Sequence, residues 1–152
     1  MSKKQDILDY IENNKYDYVE MSHRIHERPE LGNEEIFASR TLIDCLKTNG
    51  FEIETDIAGH ATGFIARYES KNEGPTIGFL AEYDALPGLG HACGHNIIGT
   101  ASALGGIALK QVIDDIGGSV VVLGCPAEEG GENGSAKASY VKAGIIDEID
   151  IA

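Results

Sequence analysis

The sequence predicts an α/β fold, a sandwich of helices on a mixed sheet, from three observations. Residues 76–81 and 119–123 are short, nearly continuous apolar runs, the pattern of strands covered on both faces of a sheet. A Gly/Ala-rich helix, residues 97 to about 116, lies between them, and its small side chains permit close packing on that sheet. Residues 51–57 and 62–68 alternate polar and apolar with period two around Gly59-His60, which predicts a hairpin.

The remaining elements follow in chain order. Ile7, Leu8 and Ile11 fall at helical spacing, predicting a helix over 4–15, and Val19, Met21 and Ile25 predict a second over 16–28, stopped by Pro29. Asn33 is an N-cap candidate before Glu34-Glu35, and Ile36, Phe37, Leu42, Ile43 and Leu46 predict a helix closed by Asn49-Gly50. A further helix is expected over 135–143, ended by Gly144, and a last apolar strand over 147–151. The predicted order is α-α-β-β-β-α-β-α-β, in one domain spanning 1–152. That last strand is cut at Ala152 with no turn or cap after it, so the chain reads as part of a larger domain.

Composition narrows the function. The chain has 152 residues with 12 Lys+Arg against 25 Asp+Glu, a formal net charge of −13. Such an excess repels phosphate backbones and anionic membranes, so neither nucleic acid nor a membrane is an expected partner. With 42% hydrophobic residues the chain is too apolar for a disordered tail, and no apolar run is read as a membrane span. No export signal is visible, and Cys45, Cys93 and Cys125 are odd in number and widely spaced. Reduced thiols in the cytoplasm are the expectation.

Three segments carry chemistry. Glu82-Tyr83-Asp84-Ala85-Leu86-Pro87 places two carboxylates at the carboxyl end of an apolar strand, the edge where α/β sheets bind ligands; a solvated loop is the alternative. His91-Ala92-Cys93-Gly94-His95-Asn96 puts a thiol and an imidazole two residues apart around a glycine, with His91 as a third soft donor. These suit zinc or a comparable ion, at roughly 2.3 Å from sulfur and 2.0–2.1 Å from nitrogen. Pro126-Ala127-Glu128-Glu129-Gly130-Gly131 closes the strand over 119–123 with adjacent carboxylates. One can bind a metal while the other takes a proton from water whose pKa the ion lowers toward roughly 7. An acidic helix cap beside a glycine turn is the alternative there. His23 and His26 read as one turn of polar helix, Cys45 and Cys125 as packed small hydrophobes, and His60 as an exposed turn residue.

Together with His26-Glu27-Arg28-Pro29-Glu30-Leu31-Gly32, these segments resemble metallopeptidase family 20, subfamily D, in order and over nearly the whole chain. The family contains aminoacylases, indole-acetyl-amino-acid hydrolases and aminobenzoyl-glutamate hydrolases. The resemblance implies a three-layer α/β/α sandwich with a mixed sheet, zinc-exopeptidase-like and here incomplete. It also implies two divalent ions (Zn, or Mn, Co or Ni) in the intact protein. Carried over by residue, Cys93 is the thiolate bridging the metals, His95 a terminal ligand, Glu129 a metal-binding carboxylate and Glu128 the general base. Asp84 is the residue that orients a ligand, typically followed by a cis peptide. The implied function is metal-dependent cleavage of the amide bond of N-acyl or aminoacyl amino acids or short dipeptides, in a homo-oligomer. Family members are considerably longer, with a lid or dimerisation domain and further histidine ligands. This chain is therefore expected to be the N-terminal portion of the catalytic domain, with little turnover of its own. The alternative is a non-catalytic metal-binding or interaction fragment.

Overall fold

A computed structural model describes residues 2–152. Its first element is one helix, α1 (Lys3–His26), where the sequence predicts two. No Gly or Pro interrupts residues 3–26, so nothing breaks the hydrogen-bond ladder at Tyr16. Ser2 caps α1 by accepting a hydrogen bond from the Gln5 N–H. Helix α2 (Ile36–Thr48) follows as expected, but its cap differs. Asn33 adopts a left-handed φ of 66° and turns its side chain toward His60. The first turn is instead capped by Glu30, whose carboxylate accepts the N–H groups of Phe37 (2.9 Å) and Ala38 (3.0 Å). Removing it with Glu30→Ala should cost about 1 kcal/mol. On a domain this size that is a fall of about 2–4 °C in thermal midpoint; an unchanged midpoint would show that the cap contributes nothing.

Strands β1 (Glu52–Ile57) and β2 (His60–Glu69) form the predicted antiparallel hairpin. β3 (Thr76–Ala81), helix α3 (His95–Ile116) and β4 (Ser119–Gly124) form a parallel strand–helix–strand unit. The sheet order is β1-β2-β4-β3, mixed because β2 and β4 run antiparallel. Helix α4 (Ala136–Lys142) comes next. The expected last strand is mostly a short 3-10 helix, Ile145–Glu148, started by Gly144 at φ 72°. Only Ile151 pairs, in a parallel bridge to Ile77. Ile149 of the expected strand packs under the sheet beside Ile145 and Ile146.

Side chains of a strand alternate between faces, and here each face has its own core. Phe64, Ala66, Val120 and Val122 join Ile25 of α1, Leu42 and Leu46 of α2, and Ile107 of α3. Ile65, Val121 and Leu123 point the other way, onto Ala136 and Tyr140 of α4. The result is three layers, α/β/α. Helix α3 is long and apolar enough, by length and composition, to cross a membrane, although no apolar run reads as a span in the sequence. Its buried face, with Gly99, Ala103, Gly106 and Ile107, is the helix wall of the first core.

Candidate metal centre

The parallel strands β3 and β4 end side by side, so their carboxyl ends deliver Glu82 and Asp84 from one and Glu128 and Glu129 from the other. The Cys125 N–H donates to the Ala81 carbonyl (2.8 Å), carrying the pairing one step past both strands. Gly94, at φ 76°, turns the chain into α3, and His95 is the first residue of that helix. His95 therefore meets the carboxylates at the positive end of the helix dipole.

The imidazole of His95 is almost fully buried. Its Nδ1 lies 2.9 Å from Asp84 Oδ1 and 3.0 Å from the Asp84 carbonyl, both acceptors, so Nδ1 carries a proton and Nε2 is the nitrogen turned to the carboxylates. Around Nε2 stand Glu82 Oε2 at 3.3 Å, Glu128 Oε2 at 3.6 Å and Glu129 Oε1 at 3.9 Å. Carboxylates gathered around one imidazole nitrogen call for a cation among them, and a divalent ion there would have these same atoms as ligands. The spacing fits such an ion. Two ligands at bond lengths near 2.1 Å on a tetrahedral ion are roughly 3.4 Å apart. The donor atoms of Glu82, His95 and Glu128 all lie within 4.8 Å of one another.

Asp84 links the two halves. Oδ1 holds the His95 ring while Oδ2 accepts the Glu129 N–H at 3.1 Å, so one buried carboxylate fixes both the imidazole and the Glu128-Glu129 turn. No peptide bond among the described residues is cis, so the link after Asp84 is trans where the resemblance implies cis. Cys93 is exposed on the loop before α3 and faces Glu129. A hydrogen bond to Glu129, some loss of water around the sulfur and the charges of Glu129, Glu128 and Asp84 push its thiol pKa up. A thiolate there requires a cation beside it. His91 is buried, packs against His26 with ring centroids 6.2 Å apart, and has no hydrogen-bond partner among the described residues for either nitrogen; it lies outside the close group. Cys45 is half-buried beside Tyr18 and Cys125 fully buried, as expected of packed small hydrophobes.

Three residues around the site have no distinctive motif. Glu35 is fully buried, accepting the Thr62 hydroxyl (2.7 Å) and the Ala127 N–H (2.9 Å), which holds Ala127 at φ 53° directly before Glu128. Burial pushes its carboxyl pKa up. The folded chain thus holds that proton more tightly than the unfolded one, a contribution present at acid pH and lost as pH rises through the raised value. His60 is 1% exposed, contrary to the exposed turn residue expected from sequence. Its Nδ1 meets Asn33 Oδ1 at 2.7 Å and its Nε2 the Ser139 hydroxyl at 2.9 Å, and burial lowers its pKa. Lys137, on α4, pairs with Glu82. A polar cleft of about 550 Å³ opens beside the group, lined by Asp84, Leu86, Pro87, Glu129, Gly131 and Asn133.

Comparison with known proteins agrees with this geometry. No family model matches the chain. It is 34% identical over 165 aligned residues to a subunit of the p-aminobenzoyl-glutamate hydrolase of Escherichia coli, with 96% of this chain and 33% of that protein covered. It is 36% identical to human Xaa-Arg dipeptidase over 86% of this chain and 33% of that protein. A crystal structure of a Bacillus subtilis dinuclear metal binding peptidase superposes with a TM-score of 0.71 at 29% identity, covering 90% of this chain and 41% of that one. The chain spans about a third of the length of the curated relatives it matches. These relatives are hydrolases and peptidases, the mixed sheet with its helices matches the fold of the solved neighbour, and over nearly its whole length the chain is similar to members of metallopeptidase family 20.

Proposed function

We propose that this chain is the N-terminal portion of the catalytic domain of a metal-dependent amidohydrolase, one that cleaves the amide bond of N-acyl or aminoacyl amino acids or short dipeptides. The observation that carries the proposal is His95 Nε2 facing Glu82 Oε2 at 3.3 Å and Glu128 Oε2 at 3.6 Å. His95, Glu82, Glu129 and Cys93 are the metal donors, a nitrogen, oxygen and sulfur set that accepts zinc, manganese, cobalt or nickel. When bound, the ions polarise the scissile carbonyl and acidify the attacking water.

The chain's own residues supply the rest. Asp84 keeps His95 in the tautomer whose Nε2 points at the donor group. Glu82 is clamped, with its side chain 13% exposed, whereas Glu128 is 34% exposed and open to solvent. Glu128 is thus the carboxylate suited to take the water's proton and pass it to the leaving amine. The adjoining cleft is the place for the substrate. The expected setting is a cytoplasmic homo-oligomer acting on small molecules, with neither nucleic acid nor membrane as partner. The one-third coverage favours a second reading, in which this chain binds metal without completing the reaction.

Plasma mass spectrometry on the dialysed chain, wild type and Cys93→Ser, tests the assignment, with release of free amino acid from N-acyl amino acids and dipeptides assayed alongside. About one tightly held divalent ion per chain, reduced by the substitution, is the expected result. No metal in either protein overturns the metal-dependent reading. Robust hydrolysis by this chain alone overturns its description as an incomplete part.

A further inference from the structure

We propose that Lys137 is a positioning residue that decides which oxygens of Glu82 and Glu128 face His95, an inference that rests on the metal-dependent reading above. Each of these two carboxylates is divided between two neighbours. Oε2 of Glu82 and Oε2 of Glu128 lie 3.3 and 3.6 Å from His95 Nε2. Oε1 of Glu82 accepts a hydrogen bond from Lys137 Nζ, and Oε1 of Glu128 lies 4.0 Å from the same ammonium. The lysine grips Glu82 from behind and attracts Glu128 from the same side, leaving one oxygen of each directed at the imidazole. A carboxylate gripped through one oxygen presents the other in a single direction, the arrangement that orients ligands in metal sites.

The ammonium is itself held in place. Residues on both sides of Lys137 in α4 are tied to the sheet and the preceding loop. The Ala136 N–H donates to the Pro126 carbonyl (3.3 Å), Ser139 meets His60 Nε2 (2.9 Å), and the buried Tyr140 hydroxyl donates to the Gly124 carbonyl (2.6 Å). The Lys137 side chain is 35% exposed and that of Glu82 only 13%, so solvent screens this pair in part from the lysine side alone. Both carboxylates belong to the strand ends, so the lysine couples α4 to the site across the second core. The sequence points only to a lysine on a short helix; which oxygens it holds is visible in the fold alone.

The test is Co²⁺ binding by the 152-residue chain, read by visible absorption and by competition with a chromophoric chelator. Lys137→Met keeps the length of the side chain and removes the donor; Lys137→Gln keeps a neutral donor. The expected result is about a 10- to 100-fold weaker affinity in the Met variant, with a changed visible band as the freed carboxylates alter the coordination. The Gln variant should stay close to wild type. Thermal midpoints report folding of each variant, and Lys137→Arg, which retains donors and charge, is expected to bind Co²⁺ even if the Met variant does not fold. Unchanged affinity and band in the Met variant overturn the inference. Tighter binding in both Met and Gln variants also overturns it, showing that the ammonium only repels the ion. A wild-type chain that binds no Co²⁺ overturns the metal-dependent reading and this inference with it.

Discussion

His95→Ala is expected to weaken divalent-metal binding by at least roughly 100-fold, the upper end of what loss of an outer-shell partner alone costs. His95 supplies the only imidazole of the close group, and it is buried at the end of α3 with its Nδ1 fixed by Asp84. Without it, Glu82 and Glu128 face each other with oxygen donors alone, and Asp84 keeps only its bond to the Glu129 N–H. Asp84→Ala should have the milder version of the same defect, about 10- to 100-fold, because the imidazole remains but loses its orientation. Competition with a chromophoric chelator gives both affinities. Wild-type affinity in the His95 variant would sink the placement of the metal at this group.

Gly99→Ala should lower stability and metal affinity together. A Cβ at Gly99 would stand 2.6 Å from the Glu82 carbonyl oxygen and 3.2 Å from a methyl of Leu42. The nearer atom is backbone and cannot rotate aside, so α3 must lift from the end of β3. Overpacking of this kind costs about 1–3 kcal/mol, and each kcal/mol lowers the thermal midpoint by about 2–4 °C. The same displacement separates His95 on α3 from Glu82 after β3, so the affinity for Co²⁺ falls with the midpoint. Gly59→Ala is the matched control. Gly59 also disfavours a side chain, through its φ of 84°, but a Cβ there meets nothing within 4 Å. Its cost of about 1–2 kcal/mol is conformational and should leave metal affinity unchanged. A control that loses affinity as strongly as Gly99→Ala would contradict the close helix–strand approach as the cause.

The layers and most of the elements were legible in the order of residues, because period-two alternation and short apolar runs are local signals of burial. The hairpin over β1 and β2, the β3–α3–β4 unit and α2 fall where those patterns put them. Two readings of element ends failed for tertiary reasons, as did the exposed place expected of His60. Residues 147–151 read as a strand because Ile149 and Ile151 are apolar, but the burial of Ile149 is supplied by the face of the sheet rather than by a neighbouring strand. Asn33 reads as a cap because of its residue type, yet His60 takes its side chain and Glu30, three residues earlier, reaches the helix instead.

The site divides in the same way. That Asp84, His95 and Glu128 belong near one another follows from the sequence alone: each motif adjoins an end of β3, α3 or β4, and parallel strands joined by a helix bring those ends to one edge. Glu82 was visible in the same way as a carboxylate beside Asp84. Glu35, His60 and Lys137 were not, since a buried carboxylate, a satisfied histidine and an anchoring lysine have no local signature. Their partners lie far along the chain: Glu35 with Ala127, His60 with Ser139, Lys137 with Glu82. Residue type and spacing point to the donor chemistry proposed for this site. Only the packed fold decided which nitrogen and which oxygens face one another, because a side chain's direction is set by whatever packs around it, and that neighbourhood exists only after distant segments have met.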